Sequence, residues 1–560
     1  MKRLLRLNVG IILAIIAMPG LAEAQIRPPT TTQPGQVQQH LQIQEERPAV
    51  SEEPLITLPE EGGKHKALKG EATFILKGID FENVTVFKKE DFLPDYEAYL
   101  GKEVSLSTLH EIAFKITAQY RNAGYILSKA VVPPQQIGKD GIAKIRIVEG
   151  YINKVVFEGV PATGLLAKYA DHIRNAKPLD AKMLERYLLL MNDLPGVTAH
   201  AVLRPATDAP GASDVIITIS EKSVDGSVTL DNRGTRFMGP IQAGVTVNAN
   251  NMLGLYDRTQ FHGVMTAQEN ELRYGQVTHE EQLDSDGTKV ALSAGYTRTH
   301  PTYTLDPFDV QGWDRVYSVN VSHPFIRSRQ SNLYGNIQFD AHDTAVDVLT
   351  TQLYDDHLRV LRGGGSYDFI DMFSGVNKMQ ATLAQGLSWD TSSSDVLSRA
   401  NGQTNFFKGT AQVSRLQTIK GPFDFYIAGS GQWSADSLLI GEQFGIGGVD
   451  FGSAYDPSEL TGDSGAAGRA EIRYNRNGDF VLIPSYQLYT FYDIGKVWNR
   501  DTPTGSTASL ADAGFGFRFN AEAPLSGALE FAAPLTKVVA ADGTRDGYDP
   551  RVFFSLAYRY

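Results

Sequence analysis

Cysteine is absent from the 560 residues of this sequence, and two other features are missing with it. Without cysteine the chain has no disulfide bonds, no thiol catalysis and no cysteine metal site. Basic charge is not in excess: the formal net charge is −12, which argues against a general nucleic-acid-binding protein. Long apolar runs are also missing. No stretch approaches about 18 consecutive apolar residues, so no membrane-spanning helix is expected.

The N-terminus has the three parts of a secretory signal peptide. Lys2 and Arg3 supply basic charge, Val9–Met18 is an apolar run, and a small-x-small site ends at Ala24. The sequence therefore predicts a signal peptide over residues 1–24 and an exported mature chain. An exported chain without disulfide bonds needs a large core or a closed sheet to be stable.

A polar linker is predicted next, over residues 25–69. This stretch is rich in glutamine, proline, threonine and glutamate, a composition typical of linkers. Within it, residues 36–47 lie between prolines and fit a short polar helix and plain disorder equally well.

Two small α+β modules are predicted after the linker, over residues 70–149 and 150–222. In the first, Ser107–Ala123 has the apolar spacing of a helix, and Thr108 with Glu111 has the spacing of a capping box at its start. The second has the pattern strand, helix, helix, strand, strand. Such modules on an exported chain more often bind other chains than catalyse.

From residue 223 to residue 560 helical periodicity disappears, and apolar residues alternate with polar ones. Ile241–Val247 and Ala511–Phe519 are examples. A soluble β-sandwich alternates in the same way. A transmembrane β-barrel is favoured because the strands are about 9–11 residues long, the polar face carries charges and glycines, and aromatic residues gather near strand ends. At about 20 residues for each strand and its turn, the region holds about 16 antiparallel strands.

The last ten residues, 551–560, form the strand that would close such a barrel. Phe554, Leu556, Tyr558 and Tyr560 lie on one apolar face of it. The last strand must pair with the first, because unpaired backbone cannot face lipid. We therefore predict that these four side chains mark the closing strand.

Motifs of enzymes and metal sites are weak. Gly462–Gly465 resembles the stretch around the nucleophile of trypsin-like serine proteases, but the sequence ties no histidine and carboxylate to Ser464. Asp284–Gly287 hints at a calcium loop, yet the glutamate expected six residues after the glycine is Ser293. No His-Glu-x-x-His run occurs. We predict no enzymatic activity, no catalytic residue, no metal and no cofactor.

Six stretches, in this order along the chain, resemble those of one known family. They are Ile145–Gly159 at the junction of the modules, Leu230–Val247 in the first barrel hairpin, Asn250–Asp257 in the turn after it, His323–Tyr334 in a later periplasmic turn, Gly441–Gly465 in the long sixth extracellular loop, and Phe491–Trp498 in a strand. The family is that of the outer-membrane transporters of two-partner secretion, relatives of the haemolysin and filamentous-haemagglutinin transporters. The resemblance covers nearly all of the mature chain.

The resemblance implies a fold and a location. The modules 70–149 and 150–222 would be POTRA modules in the periplasm, and residues 223–560 would be a transmembrane β-barrel in contact with the lipid of a Gram-negative outer membrane. The chain would move a large secreted exoprotein, such as an adhesin, a haemolysin or a toxin, to the cell surface without nucleotide hydrolysis. A nucleic-acid partner is not expected, and the chain is expected to be a monomer.

In the family the sixth loop folds back into the lumen and is held at its tip. The matching residues here are Gly452, Ser453, Tyr455 and Asp456 in the loop, and Asp493 and Gly495 in the strand. Relatives carry an arginine at the position of Ser453, and that arginine pairs with the strand aspartate. Because it is missing here, Asp493 would either be less ionised or pair with another donor, and the candidate donors are Arg469, Arg473 and Lys496.

The resemblance also implies how the client is caught. An extended client segment would pair with an exposed sheet edge of the second POTRA module. The predicted surface is the strand Val197–Arg204 with the helix around Leu165. Its candidate contacts are Leu165, Tyr169, Val197, Ala199 and Val202. Resting closure is assigned to the loop 441–467, with residues 36–47 as a further candidate plug.

Two other functions stay open. A membrane-protein insertase of the same superfamily would typically carry more POTRA modules, five in the main bacterial assembly factor. A passive porin needs none, whereas this chain devotes about 150 residues to them. Two modules favour secretion.

Overall fold

The structure is a computed structural model that describes most of the chain. It covers residues 28–42, 56–57, 73–209, 211–268, 271–389, 396–478, 481–500, 506–522, 524–537, 539 and 549–560. The predicted signal peptide (1–24) lies outside the described residues, and so does most of the predicted linker (25–69). Among the described residues, no helix is both long enough and apolar enough to cross a membrane.

The described N-terminal segment contains one helix and one very short strand. A 3-10 turn at Thr30–Thr32 precedes helix α1 (Pro34–Leu41), and strand β1 (Ile56–Thr57) follows. Proline at the first helical position suits α1, because the N–H that proline lacks has no partner in the first turn.

The first module is a small sheet covered by one long helix. Its elements are β2 (Thr73–Ile75), β3 (Gly78–Glu82), α2 (Leu93–Tyr96) between 3-10 turns at Lys89–Phe92 and Glu97–Tyr99, β4 (Glu103–Ser105), α3 (Leu106–Asn122), β5 (Lys129–Val131) and β6 (Ile142–Val148). The main sheet has the order β3-β6-β5, and β2 pairs with β4. The apolar face of α3, including Leu109, Ile112 and Ile116, packs on Ile145 and Ile147 of β6.

The capping box predicted at Thr108 and Glu111 is wrong. Helix α3 begins earlier, directly after β4, and the preceding residue Ser105 makes no side-chain cap. Glu111 instead accepts a hydrogen bond from the Tyr99 hydroxyl at 3.0 Å and pairs with Lys115 at 3.4 Å. The strand that leads into α3 therefore fixes its start.

The second module repeats the plan with two helices. Its elements are β7 (Tyr151–Glu158), α4 (Gly164–Asn175), α5 (Ala181–Asn192), β8 (Val197–Pro205) and β9 (Ala212–Glu221). The sheet has the order β1-β8-β9-β7, so β1 from the N-terminal segment lies along the outer edge of β8. The two helices cover one face of this sheet and bury residues such as Leu166, Ile173 and Leu188.

A closed antiparallel barrel of sixteen strands follows and confirms the predicted fold. Its strands are β10 (Val224–Asp231), β11 (Gln242–Asn250), β12 (Arg258–Thr266), β13 (Leu272–Gln282), β14 (Lys289–Thr299), β15 (Val310–Arg327), β16 (Ser331–Val348), β17 (Thr351–Ile370), β18 (Val376–Gly386), β19 (Phe407–Lys420), β20 (Phe423–Ser434), β23 (Ser464–Asn477), β24 (Ser485–Trp498), β25 (Thr507–Asn520), β26 (Leu525–Pro534) and β27 (Arg551–Arg559). A 3-10 turn at Tyr303–Phe308 links β14 to β15. Strands β15 to β17 have 18 to 20 residues, so they extend beyond the about 9–11 that cross a bilayer.

The barrel closes where β27 pairs with β10. Five residues of β10 are in register with β27, from Ser227 opposite Arg559 to Asp231 opposite Ser555. Every other pair of neighbouring strands has eight or more residues in register, as between β10 and β11. On β27, Leu556 and Tyr558 are exposed on the outer face, whereas Phe553 is buried.

The long loop between β20 and β23, residues 435–463, runs inside the barrel. It contains a 3-10 turn (Ile440–Glu442) and a small antiparallel pair, β21 (Phe444–Ile446) and β22 (Leu460–Gly462). It contacts residues of β17, β19, β23, β24, β25 and β27. Ser453, Ala454 and Tyr455 are fully or almost fully buried. Helix α1 lies beside this loop against β14, β15 and β16, so both segments fill the lumen.

Candidate gate in the barrel lumen

The loop tip is held by its backbone to Asp493 on β24. The N–H groups of Gly452 and Ser453 donate to Asp493 Oδ2 at 3.0 and 3.2 Å. Gly452 has a φ of +93°, a conformation that favours glycine. Gly495, two residues along β24, leaves room for the loop, because an added Cβ would lie 2.8 Å from a methyl group of Ile446. The sequence-predicted lock residues therefore lie together.

The cation that faces Asp493 comes from the barrel wall. Arg469 on β23 is opposite Asp493 in register, and its Nη1 lies 3.5 Å from Oδ2. The same guanidinium donates to the Val449 carbonyl at 2.9 Å and to Ser453 Oγ at 3.0 Å. Its plane lies 4.3 Å from the ring centre of Phe491. Arg469 thus joins the wall to the loop tip.

The other two candidate cations lie elsewhere. Arg473 pairs with Glu471 at 2.6 Å and lies over the ring of Tyr426. Lys496 is exposed and lies over Trp498, on the opposite face of its strand from Asp493. Neither has a contact with Asp493.

Tyr455 and Asp456 anchor the next two positions of the loop. The Tyr455 hydroxyl donates to the Ala511 carbonyl at 3.0 Å, and Tyr455 is only 1% exposed. Asp456 pairs with Arg551 of β27 at 2.7 Å, and Arg551 also donates to the Ala454 carbonyl at 2.9 Å. The tip is therefore held from four strands, β23, β24, β25 and β27.

Sequence reasoning missed a second group of anchors at the two ends of the loop. Glu442 pairs with Arg362 of β17 at 2.6 Å and with Lys408 of β19 at 2.7 Å. Burial alone would raise the pKa of Glu442, but the two cations hold that pKa below its usual range. Asp463 pairs with Arg399 from the loop between β18 and β19. Two features of the sequence could have predicted these anchors. The loop is acidic, and distant strands carry basic residues on their lumenal side.

The protease-like stretch belongs to this anchor. Ser464 begins β23, and its hydroxyl accepts the N–H of Ser434 at 3.1 Å. Its neighbour Asp463 accepts hydrogen bonds from Arg399 and from the N–H of Leu438. These contacts fix the loop where it joins the strand.

Helix α1 is attached to the loop through Ser458. The Ser458 hydroxyl donates to Gln36 Oε1 at 2.6 Å and lies 2.8 Å from His40 Nε2, which must then be the donor. The Ser458 carbonyl accepts from the Thr30 hydroxyl at 2.8 Å. Gln36 also donates to the Gln443 carbonyl at 3.3 Å. Helix and loop therefore form one polar assembly in the lumen.

Replacing Ser458 by alanine is expected to loosen α1. Gln36 Oε1 would lose its donor in a buried site, which costs about 1–3 kcal/mol. A cysteine introduced at the half-buried Val37 reports this loosening, because the natural chain has no other thiol. We expect maleimide to label Val37→Cys about tenfold faster in the Ser458→Ala background. Ser437→Ala, in the same loop, is the control. Equal labelling rates in the two backgrounds would show that Ser458 does not hold the helix.

The predicted partner surface of the second module needs correction. The side chains of Tyr169, Val197 and Ala199 lie in the core of the module, so they cannot contact a partner. Val202 is 37% exposed, and Leu165 is partly exposed. The buried residues face the helices because side chains alternate along a strand.

The edge of β8 is also less open than predicted. Strand β1 runs parallel to it, with Ile56 opposite Ala201 and Thr57 opposite Val202. A cavity of about 470 Å³ lies nearby, between α4 and the turns of the barrel, and Leu165 and Tyr256 contribute to its lining. Strand β1 and the barrel both border the surface at which the family resemblance places the client.

The second module is fixed to the barrel by two ion pairs, of which one is buried. Arg327 at the end of β15 makes two hydrogen bonds of 2.7 Å with Asp193, which follows α5. Arg327 also donates to Asn332 at 3.0 Å. Arg329 pairs with Glu185 of α5 at 3.0 Å. The module therefore has a defined position below the barrel.

Curated relatives are similar over most of the chain. The heme/hemopexin transporter protein HuxB of Haemophilus influenzae strain 86-028NP is 24% identical over 455 residues, which cover 78% of this chain and 79% of HuxB. The outer membrane transporter CdiB of Escherichia coli O6:K15:H31 is 24% identical over 392 residues, covering 67% of this chain and 65% of CdiB.

Solved structures show the same fold. CdiB from Escherichia coli superposes with a TM-score of 0.70 at 20% identity and covers 91% of this chain and 94% of CdiB. CdiB from Acinetobacter baumannii gives a TM-score of 0.63 at 18% identity, covering 94% of this chain and 96% of that protein. BamA from Haemophilus ducreyi, without its POTRA domains 1–3, gives 0.51 at 11% identity and covers 86% of this chain and 100% of that one.

Family models match two parts of the chain. Residues 74–150 match the POTRA domain of the ShlB type. Residues 211–519, more than half of the chain, match the haemolysin secretion/activation proteins ShlB, FhaC and HecB. This chain belongs to the ShlB/FhaC/HecB family of haemolysin secretion/activation proteins.

Proposed function

We propose that this outer-membrane transporter catches an unfolded exported protein at its second periplasmic module and passes it through the barrel without nucleotide hydrolysis. One observation supports this most directly: the lumen of a closed barrel is filled by α1 and the loop 435–463, and polar side chains hold both segments in addition to an apolar cluster. Polar contacts of this kind can be exchanged for contacts with water or with a passing chain at small net cost, about 0.5–1.5 kcal/mol each. We assign α1 the role of a plug and the loop the role of a gate.

The client would be captured by strand addition at β8. Two residues of β1 now occupy part of that edge, at Ala201 and Val202. A longer extended segment forms more main-chain hydrogen bonds than a two-residue strand, so a client can displace β1. Val202 and Leu165 would then contact its side chains.

The client would be a large secreted adhesin, haemolysin or toxin, and the chain would work as a monomer without enzymatic activity. The outer face of the barrel would contact lipid, as its exposed apolar residues suggest; Leu292, Val319 and Ile337 are examples. HuxB is named for heme and hemopexin, and CdiB is named only as an outer membrane transporter, so those names leave the client of this chain to be identified.

A disulfide between β1 and β8 tests the capture step. Thr57 and Val202 are partners in register on neighbouring strands, which lie about 4.8 Å apart, a spacing that a disulfide can bridge. In the otherwise cysteine-free chain, Thr57→Cys/Val202→Cys should hold β1 on the edge. We expect secretion of the client exoprotein into the medium to fall about tenfold and to recover with reductant.

The single-cysteine variants are the controls, and a strain without this chain sets the baseline. Full secretion by the oxidised double variant would show that β8 does not capture the client. If secretion does not depend on the chain at all, while other barrels fail to assemble, the chain is an insertase and the proposal is wrong.

A further inference from the structure

The loop 435–463 carries charge of only one sign. Its ionisable residues are Asp436, Glu442, Asp450, Asp456, Glu459 and Asp463, and it contains no lysine, arginine or histidine. Four of these six, Glu442, Asp456, Glu459 and Asp463, are buried. A buried carboxylate needs a cation or several hydrogen bonds, so the surroundings of the loop must supply the opposite charge.

The cations come from separate elements around the lumen. Glu442 pairs with Arg362 and Lys408, Asp456 with Arg551, Glu459 with Lys537, and Asp463 with Arg399. Arg362, Lys408 and Arg551 belong to β17, β19 and β27, whereas Lys537 and Arg399 belong to the loops at the end of the barrel where this loop begins. The lumen therefore surrounds an acidic chain with a ring of cations.

The same cations also bind the backbone of the loop. Lys408 donates to the Glu442 carbonyl at 2.7 Å, and Arg399 donates to the Leu438 carbonyl at 2.6 Å. Arg233, just after β10, donates to the Ser453 carbonyl at 3.4 Å. Carboxylates and main-chain carbonyls are the groups that any acidic unfolded polypeptide presents. The loop is thus an example, within the molecule, of the kind of chain that this lumen binds.

Departure of the loop would leave cations without partners. The sixteen strands together contain 19 lysine and arginine residues and 16 aspartate and glutamate residues, so they are basic without the loop. Arg362 would keep Asp340 of the neighbouring strand, at 2.7 Å. Lys408 and Arg551 have no acidic partner other than the loop among the described residues. These two cations are therefore the ones that a passing chain would have to satisfy.

We infer that the opened lumen binds acidic, extended segments of the client, which replace the loop on Lys408, Arg551 and their neighbouring cations. This inference rests on the proposed function and adds the chemistry of the segment that passes. An acidic client exchanges one set of ion pairs for another as the loop leaves. A basic client would face cations that have lost their partners, which is unfavourable in a confined lumen.

Peptide block of the open channel tests this inference. In the loop-free variant, residues 441–463 are replaced by a short Gly-Ser turn, and current is recorded in planar bilayers. The probes are unstructured peptides of about 20 residues, built from Gly and Ser with Glu, Gln or Lys, which are long enough to span the bilayer when extended. We expect the Glu peptide to block at about a tenfold lower concentration than the Gln peptide, equivalent to about 1.4 kcal/mol. The Lys peptide should block least, and salt should weaken the difference.

Further variants identify the cations and keep the test decisive. In the loop-free background, Lys408→Gln/Arg551→Gln should reduce the ratio between the blocking concentrations of the Gln and Glu peptides from about tenfold to about twofold. Lys496→Gln, a cation on the exposed face of its strand, should leave it unchanged. If the loop-free chain does not fold, the full chain with Glu442→Gln, Asp456→Asn, Glu459→Gln and Asp463→Asn replaces it.

Equal block by the three peptides, or stronger block by the Lys peptide, overturns the inference. That result would leave the proposed function standing, because these recordings do not involve secretion. Conversely, an acidic preference in the bilayer would persist even if the secretion assay failed, so the two failures are distinguishable.

Discussion

Replacing Glu442 by glutamine is expected to open the pore. The carboxylate is buried between Arg362 and Lys408, and the substitution leaves two cations facing a neutral amide. Removing one partner of a buried ion pair costs about 3–5 kcal/mol. Arg362 retains Asp340, so we take the lower figure, which corresponds to about a hundredfold shift toward the released loop. The frequency of open-channel events in planar bilayers measures this shift.

The control for this experiment is Asp450→Asn. Asp450 lies in the same loop and carries the same charge, but it is exposed and has no ion pair among the described residues. The Asp450→Asn substitution should leave the stability of the closed state almost unchanged, because an exposed charge contributes about 0–1 kcal/mol. If Glu442→Gln conducts no more often than Asp450→Asn, the pair with Arg362 and Lys408 does not hold the gate.

Replacing Asp193 by alanine is expected to detach the second module from the barrel. The Arg327 side chain is only 2% exposed, and both of its short hydrogen bonds to a carboxylate go to Asp193. The substitution leaves the buried guanidinium without its carboxylate. The free energy of the contact between module and barrel should therefore become about 3–5 kcal/mol less favourable. Secretion should fall at least tenfold, while the barrel itself stays folded. Heat-modifiable migration in gels measures the barrel, and protease cleavage between residues 205 and 230 measures the detachment.

The control for this second prediction is Asp171→Ala on α4. Asp171 also pairs with an arginine, Arg174, at 2.6 Å, but both side chains are more than half exposed. Its loss should therefore have little effect on stability or secretion. Normal secretion and unchanged protease resistance in Asp193→Ala would show that the module does not need this anchor.

The fold could be predicted because its signals are local. Alternation with a period of two is visible within each strand, as at Ala511–Phe519, and it fixes which side chains face outward and which face the lumen. The helix of the first module is visible in the spacing of Leu109, Ile112 and Ile116. Only the predicted start of this helix is wrong. The sequence has a capping motif at Thr108, but the helix begins before it, directly after strand β4.

The details of the site could not be predicted because they depend on contacts between distant parts of the chain. No local pattern shows that Ile56 pairs with Ala201, or that Glu442 meets Lys408. The sequence offered three cations for Asp493, and only the pairing of β23 with β24 selects Arg469. The family resemblance implies a partner contact at Tyr169, but this side chain is buried in the module, and its hydroxyl accepts a hydrogen bond from Gln282 of the barrel at 2.6 Å.

The junction of β10 and β27 has five residues in register, the fewest of any pair of neighbouring strands in the barrel. Arg233 at the end of β10 and Arg551 at the start of β27 both bind the loop tip, at the carbonyls of Ser453 and Ala454. The loop therefore acts as an internal brace across this seam. Once it swings away, the wall should become more compliant along that one line, and the aperture available to a client would widen by bending there instead of expanding evenly.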